Sequence, residues 1–258
     1  MPAIEAGAVS LFFEDAGSGG TPVLLLHELG GSSESWHGVM PLLAADRRVI
    51  AADLRCAGRS EKPPGAFALA DAADDLDALL RALGIDQVDV IGAALGSLVG
   101  ALLAIRNPDR VGRLMMCAVA PKMAGPTSSY VTERADKVRV VGMRGVAEAS
   151  LKNSFPDSRA AERSAYRGIY LANDPNAYAE LSLALARLEM TAANWGAIGA
   201  PTLVASGAHD FLWPPPVGRE VAALIPGARF AVMENSGHFP HLQAPQSLAH
   251  LARDFLGK

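Results

Sequence analysis

Six short stretches of the chain are apolar with almost no polar alternation: residues 23–26, 49–52, 88–91, 114–119, 202–206 and 230–233. A half-exposed strand alternates apolar and polar positions; runs like these suit strands covered on both faces, as in a parallel sheet. Helical periodicity fills the intervals. Residues 69–83 carry acids on one face and Leu76, Leu79, Leu80 and Leu83 on the other, with Gly84 as a C-terminal stop. Residues 95–106 are apolar nearly all round, which predicts a buried helix. Residues 216–224 and 245–256 are amphipathic. Strands alternating with helices predict an α/β fold, with a mostly parallel central sheet flanked by helices. Residues 122–196 break the rhythm, with several helical segments and no convincing strand. They are expected to form a helical cap over the carboxyl edge of the sheet, where open α/β sheets bind ligands. The expected division is a core of residues 1–121 and 197–258 with a cap of residues 122–196.

Candidate chemistry falls at the ends of the predicted strands. Gly92-Ala93-Ala94-Leu95-Gly96 joins a buried strand directly to an apolar helix, which is the layout of a nucleophile elbow, G-x-S-x-G. Small residues are needed because the turn is sharp and its central residue strained. Here that centre is Ala94. Asp210 follows another strand in Gly207-Ala208-His209-Asp210, and His238 follows the last strand in Ser236-Gly237-His238. The chemistry needs this trio: His238 to take a proton, Asp210 to hold its tautomer and stabilise the imidazolium. After the first buried strand, His27-Glu28-Leu29-Gly30-Gly31 can turn backbone N–H groups toward a developing oxyanion, together with the N–H of Leu95.

These motifs, with Asp53-Leu54-Arg55-Cys56-Ala57-Gly58-Arg59-Ser60, resemble the α/β-hydrolase superfamily over essentially the whole chain. Within it, the sequence is similar to the small hydrolases related to 3-oxoadipate enol-lactonase. It is also similar to aminoacrylate (carbamate) hydrolase, which carries an elbow of the form G-x-A-L-G. The resemblance implies a hydrolase of a small carbonyl substrate (ester, lactone, amide or carbamate) that needs no cofactor. It implies Ala94, Asp210 and His238 at the catalytic positions and Leu29 and Leu95 at the oxyanion positions.

Two departures from the family pattern stand out: Glu28 and Cys56 occupy positions that usually hold glycine. Glu28 puts a carboxylate beside the oxyanion turn, harmful if it points inward and harmless if outward. Alanine has no nucleophile, which leaves two readings open. Ala94 is either an engineered replacement of a Ser or Cys, or natural, with a water activated by His238 attacking the carbonyl directly. The alternative from a different class is a catalytically silent small-ligand receptor on the same fold. Ser97 and Cys56 are weaker nucleophile candidates, since small helical residues and lone buried cysteines usually serve packing. Trp36 and Trp213 adjoin site motifs and are expected to line the pocket. The cap aromatics Tyr130, Tyr166, Tyr170, Tyr178 and Trp195 are expected mainly as core. His27 is expected to brace backbone, Asp53 and Arg55 to brace a loop as a pair, and His241 to be structural.

Composition narrows the class. The chain has 258 residues, 50% of them hydrophobic and 19% charged, the profile of an ordinary folded protein. A net charge of −4 with no basic stripe argues against a nucleic-acid partner. Two cysteines make no disulfide framework, and no His/Asp/Glu cluster has metal-ligand spacing. No apolar run is long enough to span a bilayer, and Met1 to Glu5 lack a signal-peptide pattern. The expectation is a cytoplasmic monomer or homodimer acting on a small molecule.

Overall fold

The computed structural model describes residues 3–123 and 125–257. Its eight strands are β1 (Ala3–Ala6), β2 (Val9–Ala16), β3 (Val23–Leu26), β4 (Val49–Ala52), β5 (Val88–Ala93), β6 (Val111–Cys117), β7 (Thr202–Gly207) and β8 (Arg229–Met233). They form one sheet in the order β1-β2-β4-β3-β5-β6-β7-β8. From β4 to β8 all neighbours are parallel, while β1 and β2 join antiparallel at one edge. The six apolar runs are β3 to β8. The hairpin of β1 and β2 was not legible, because adjacent Phe12 and Phe13 are both buried and erase the alternation of a one-sided strand.

Period-two geometry sorts each central strand between two cores. Leu24 and Leu26 of β3 face one cluster and Val23 and Leu25 the other. The chain also forms α1 (Met40–Leu43), α2 (Leu69–Ala82) and α3 (Leu95–Arg106). The first cluster packs under α2 and α3 through Leu76, Leu79, Leu98 and Val99. Helix α3 runs where its all-round apolarity predicts, with Leu95, Leu98, Val99 and Leu103 buried.

Between β6 and β7 lie α4 (Pro126–Lys152), α5 (Ala160–Leu171), α6 (Pro175–Ala186) and α7 (Ala192–Gly196), with no strand among the described residues. Gly142 breaks α4 with φ +67°, ψ 176°, so its two halves take different directions. The cap packs a third apolar cluster, with Val138, Phe155, Tyr166 and Tyr178, against Ala94 and Phe239 of the sheet edge. After β7 come α8 (Pro215–Leu224), α9 (Pro240–Gln243) and α10 (Pro245–Leu256). Helices α1 and α10 close the second cluster through Leu43, Leu248 and Phe255.

Candidate active site

The turn from β5 to α3 is closed by two glycines for a steric reason. A Cβ on Gly92 would overlap the backbone of Gly96, and one on Gly96 would overlap the carbonyl of Leu26. Between them Ala94 sits at φ +49°, ψ −110°, a region that costs an L-residue roughly 1–2 kcal/mol. Its side chain faces a cavity under the cap, with an empty volume of about 610 Å³ counting its mouth. Leu29, Leu95, Trp213, His238 and Phe239 line the same cavity from the core. From the cap come Arg134, Ser150, Tyr166 and Tyr170, among others.

The loop after β8 carries His238, whose Nδ1 lies 2.9 Å from Oδ2 of Asp210. The other Asp210 oxygen accepts from the N–H groups of Leu212 and Trp213, both at 2.9 Å. An ionised carboxylate held this way only accepts, so Nδ1 carries the proton and Nε2 presents its lone pair. The His238 ring is fixed by Trp213, edge-on with centroids 5.2 Å apart, and by Phe239 at 4.8 Å. The N–H groups of Leu29 and Leu95 donate to no acceptor within the described residues. Leu29, Ala94, Leu95 and His238 thus line one cavity, and an imidazole with two amide donors is the set of groups that acyl transfer uses.

Several expected residues stand elsewhere. Glu28 does not line the cavity. It is fully buried, with Oε2 2.8 Å from Nε2 of His241 and Oε1 accepting from Ser35 Oγ at 2.9 Å. Burial alone would push its carboxyl up, but the charge and hydrogen bond of His241 outweigh this and hold it at about 2. Its carboxylate is thus already occupied, so the feared repulsion of an oxyanion has no geometric basis. Trp36 was expected in the pocket lining. Instead it is fully buried in the second core, stacked on His241 with centroids 4.6 Å apart. Trp213 does line the cavity.

His27 braces the oxyanion turn. Its Nε2 accepts from the N–H of Leu54 at 3.0 Å, so Nδ1 is the donor to the carbonyl of Glu28 at 2.8 Å. Asp53 and Arg55 do not pair with each other. Asp53 accepts from the N–H groups of Ser33 and Arg59, whereas Arg55 makes a two-pronged pair with Asp75 of α2, at 2.5 and 2.6 Å. The Ser97 hydroxyl is used up between strands: it lies 2.8 Å from the carbonyls of Gly92 and Cys117 and accepts from the Cys117 N–H. Cys56 takes φ +67°, the backbone for which glycine is usual, and burial pushes its thiol up to about 11. Of the cap aromatics, Tyr166 and Tyr170 reach the cavity, while Trp195 is core and donates to the carbonyl of Pro121. Sequence reasoning missed Arg134 and Ser150, because polar residues on one cap helix carry no periodic or motif signal that separates lining from surface.

A family model described as alpha/beta hydrolase fold matches residues 21–245. The chain belongs to the alpha/beta hydrolase fold family. Among known members, it is 30% identical to a protein of Variovorax paradoxus (strain S110) named as carbamate hydrolase RutD, over 93% of this chain and 92% of that protein. It is 29% identical to the 2-hydroxymuconate semialdehyde hydrolase of Pseudomonas sp. (strain CF600), covering 99% and 93% of the two chains. The crystal structure of the enol-lactonase from Burkholderia xenovorans LB400 superposes with a TM-score of 0.93 at 27% identity, over the full length of both. At family level this alpha/beta hydrolase is an enzyme of the hydrolase class acting on small substrates. None of its described helices is long and apolar enough to cross a membrane.

Proposed function

We propose that this alpha/beta hydrolase cleaves a C–O or C–N bond at the carbonyl of a small ester, lactone, amide or carbamate, with His238 as the base and water as the nucleophile. The observation that carries the reading is the Asp210–His238 pair, held at 2.9 Å on the wall of the cavity that Ala94 also lines. With Nδ1 committed to Asp210, Nε2 is the one nitrogen able to remove a proton from water. The hydroxide equivalent adds to the carbonyl carbon, and the π electrons move to oxygen, which the N–H groups of Leu29 and Leu95 receive. Collapse of the tetrahedral adduct breaks the bond to the leaving group, and Nε2–H returns its proton to it. Asp210 stays ionised throughout and stabilises the imidazolium.

The absence of a hydroxyl or thiol at residue 94 removes the covalent acyl intermediate but not the base or the oxyanion donors. Sites stripped of a triad nucleophile typically retain roughly 10³–10⁴-fold catalysis over water. The names of similar proteins support the substrate range, since they include a carbamate hydrolase and an enol-lactonase. The test is hydrolysis of neutral p-nitrophenyl butyrate and of simple lactones by the unmodified chain. Turnover above the buffer rate, lost in His238→Ala, is expected. Tight ligand binding without turnover, insensitive to His238, would instead identify a receptor.

A further inference from the structure

The proposed base and one proposed oxyanion donor come from strands that are not neighbours. Leu29 follows β3 and His238 follows β8, with β5, β6 and β7 between them in the sheet. Four strand spacings separate those strand ends by about 19 Å, so the loops they carry have to be held against each other above the sheet edge. Glu28 and His241 make such a hold. Nε2 of His241 lies 2.8 Å from Oε2 of Glu28, across 213 residues of chain. Among the described residues this is the one hydrogen bond between residues 27–31 and residues 236–243.

Each partner is braced at its own end. The Glu28 carbonyl accepts from Nδ1 of His27 at 2.8 Å and from the N–H of Gly31 at 3.0 Å. A trans peptide is planar with its C=O and N–H opposed, so pinning that carbonyl also aims the N–H of Leu29. The Glu28 carboxylate accepts from Ser35 Oγ at 2.9 Å, in space that a Cβ on Gly31 would fill. On the other side, His241 belongs to α9, which starts two residues after His238. Gln243 of α9 reaches back: its Oε1 accepts from the N–H of Gly237 at 2.7 Å, and its Nε2 donates to the Ser154 carbonyl of the cap at 3.1 Å. The loop of His238 and α9 therefore form one braced unit.

Net stability is a poor reason for such a pair, since apolar residues of similar volume generally serve as well or better in a buried place. Glycine, usual at position 28, would carry no link at all. We infer that Glu28 and His241 are positioning residues: their bond ties the oxyanion turn to the loop of His238 and so sets the spacing between the Leu29 N–H and Nε2 of His238. Neither side chain lines the cavity. They act through the backbone they hold. The effect on turnover rests on the proposed hydrolase reading; the hold on the turn does not.

The experiment compares the unmodified chain with Glu28→Ala, which removes the tie, and with Glu28→Gln, whose amide oxygen still accepts from His241. Amide hydrogen exchange, followed residue by residue by NMR, reads the hold directly. The N–H groups of Gly31 and Leu54 are bonded to Glu28 and His27 within the turn, and that of Leu114 in β6 to the Pro201 carbonyl. In Glu28→Ala, exchange at Gly31 and Leu54 should speed at least about tenfold more than at Leu114, because the opening is local. Hydrolysis of p-nitrophenyl butyrate reads the consequence. In Glu28→Ala, kcat per folded molecule should fall about 10- to 100-fold with KM within about twofold, and Glu28→Gln should recover all but about threefold of it. If Glu28→Ala fails to fold, Glu28→Ala combined with His241→Leu takes its place, since it removes both buried partners. An unchanged kcat, a loss that Glu28→Gln does not recover, or exchange at Gly31 and Leu54 that speeds no more than at Leu114 overturns the inference. Absence of ester turnover in the unmodified chain would count against the hydrolase reading instead, and the exchange comparison would then decide whether the pair holds the turn.

Discussion

His241 Nε2 lies 2.8 Å from Oε2 of Glu28, and neither side chain is reached by solvent. His238, three residues earlier, makes an imidazole–carboxylate contact of nearly the same length with Asp210. The two pairs differ in what their rings meet. His238 borders the cavity, whereas His241 is covered by Trp36 and its bond to Glu28 is structural. Glu28 replaces a glycine of the family pattern, and His241 is the residue that makes the replacement tolerable.

Because the Glu28 carboxyl is held at about 2 in the fold, below the 4.5 expected when unfolded, its stabilisation is complete above pH ~5. It is lost as the pH falls toward 2. Between pH 6 and pH 3 this one group should remove about 2 kcal/mol from the unfolding free energy. Urea denaturation at both pH values checks it: Glu28→Gln should be less stable than the parent at pH 6, with a gap that narrows by that amount at pH 3. Breaking the pair with His241→Ala should cost about 3–5 kcal/mol at neutral pH.

The glycines of the elbow are expected to tolerate no side chain. Gly96→Ala drives a methyl into the carbonyl of Leu26, and the resulting shift should destabilise the chain by about 1–3 kcal/mol. Thermal unfolding measures this; an unchanged midpoint would mean that the close approach of α3 to β3 is not required.

Most of the sheet and the proposed catalytic positions were readable from sequence because each depends on local constraints. Buried parallel strands write themselves as apolar runs, and a sharp turn writes itself as glycines at 92 and 96. The positions of Asp210 and His238 follow from strand ends. What was not readable depends on partners far apart in the chain. The Glu28–His241 pair spans 213 residues, so Glu28 looked like a threat to the site when it is sequestered from it. Trp36 sat next to a site motif in sequence but points to the opposite core.

Neither cysteine should be reactive. Burial pushes Cys56 to about 11 and Cys117 to about 12, so thiolate is scarce at pH 8. A disulfide reagent absorbing at visible wavelengths should label the native chain much more slowly than the urea-unfolded one. Loss of hydrolysis on rapid native labelling of Cys56 would reopen it as a nucleophile.

Asp210 is expected to act through the tautomer of His238. In an Ala94→Ser background, Asp210→Asn should lower kcat by up to about 10⁴-fold with little change in KM. Ser97→Ala in the same background should leave kcat within a few fold, since its hydroxyl is committed to the Gly92 and Cys117 carbonyls.

The most direct test concerns the cavity face shared by residues 94 and 238. Steady-state hydrolysis of p-nitrophenyl butyrate is compared for the unmodified chain, Ala94→Ser, and Ala94→Ser with His238→Ala. If the proposed mechanism holds, His238 deprotonates a serine placed at the strained elbow, so Ala94→Ser should raise kcat/KM by about 10³-fold or more, accompanied by a burst of nitrophenol. Removal of His238 should abolish that gain. If Ala94→Ser matches the unmodified chain, or its activity is indifferent to His238, then these residues do not form a hydrolytic centre.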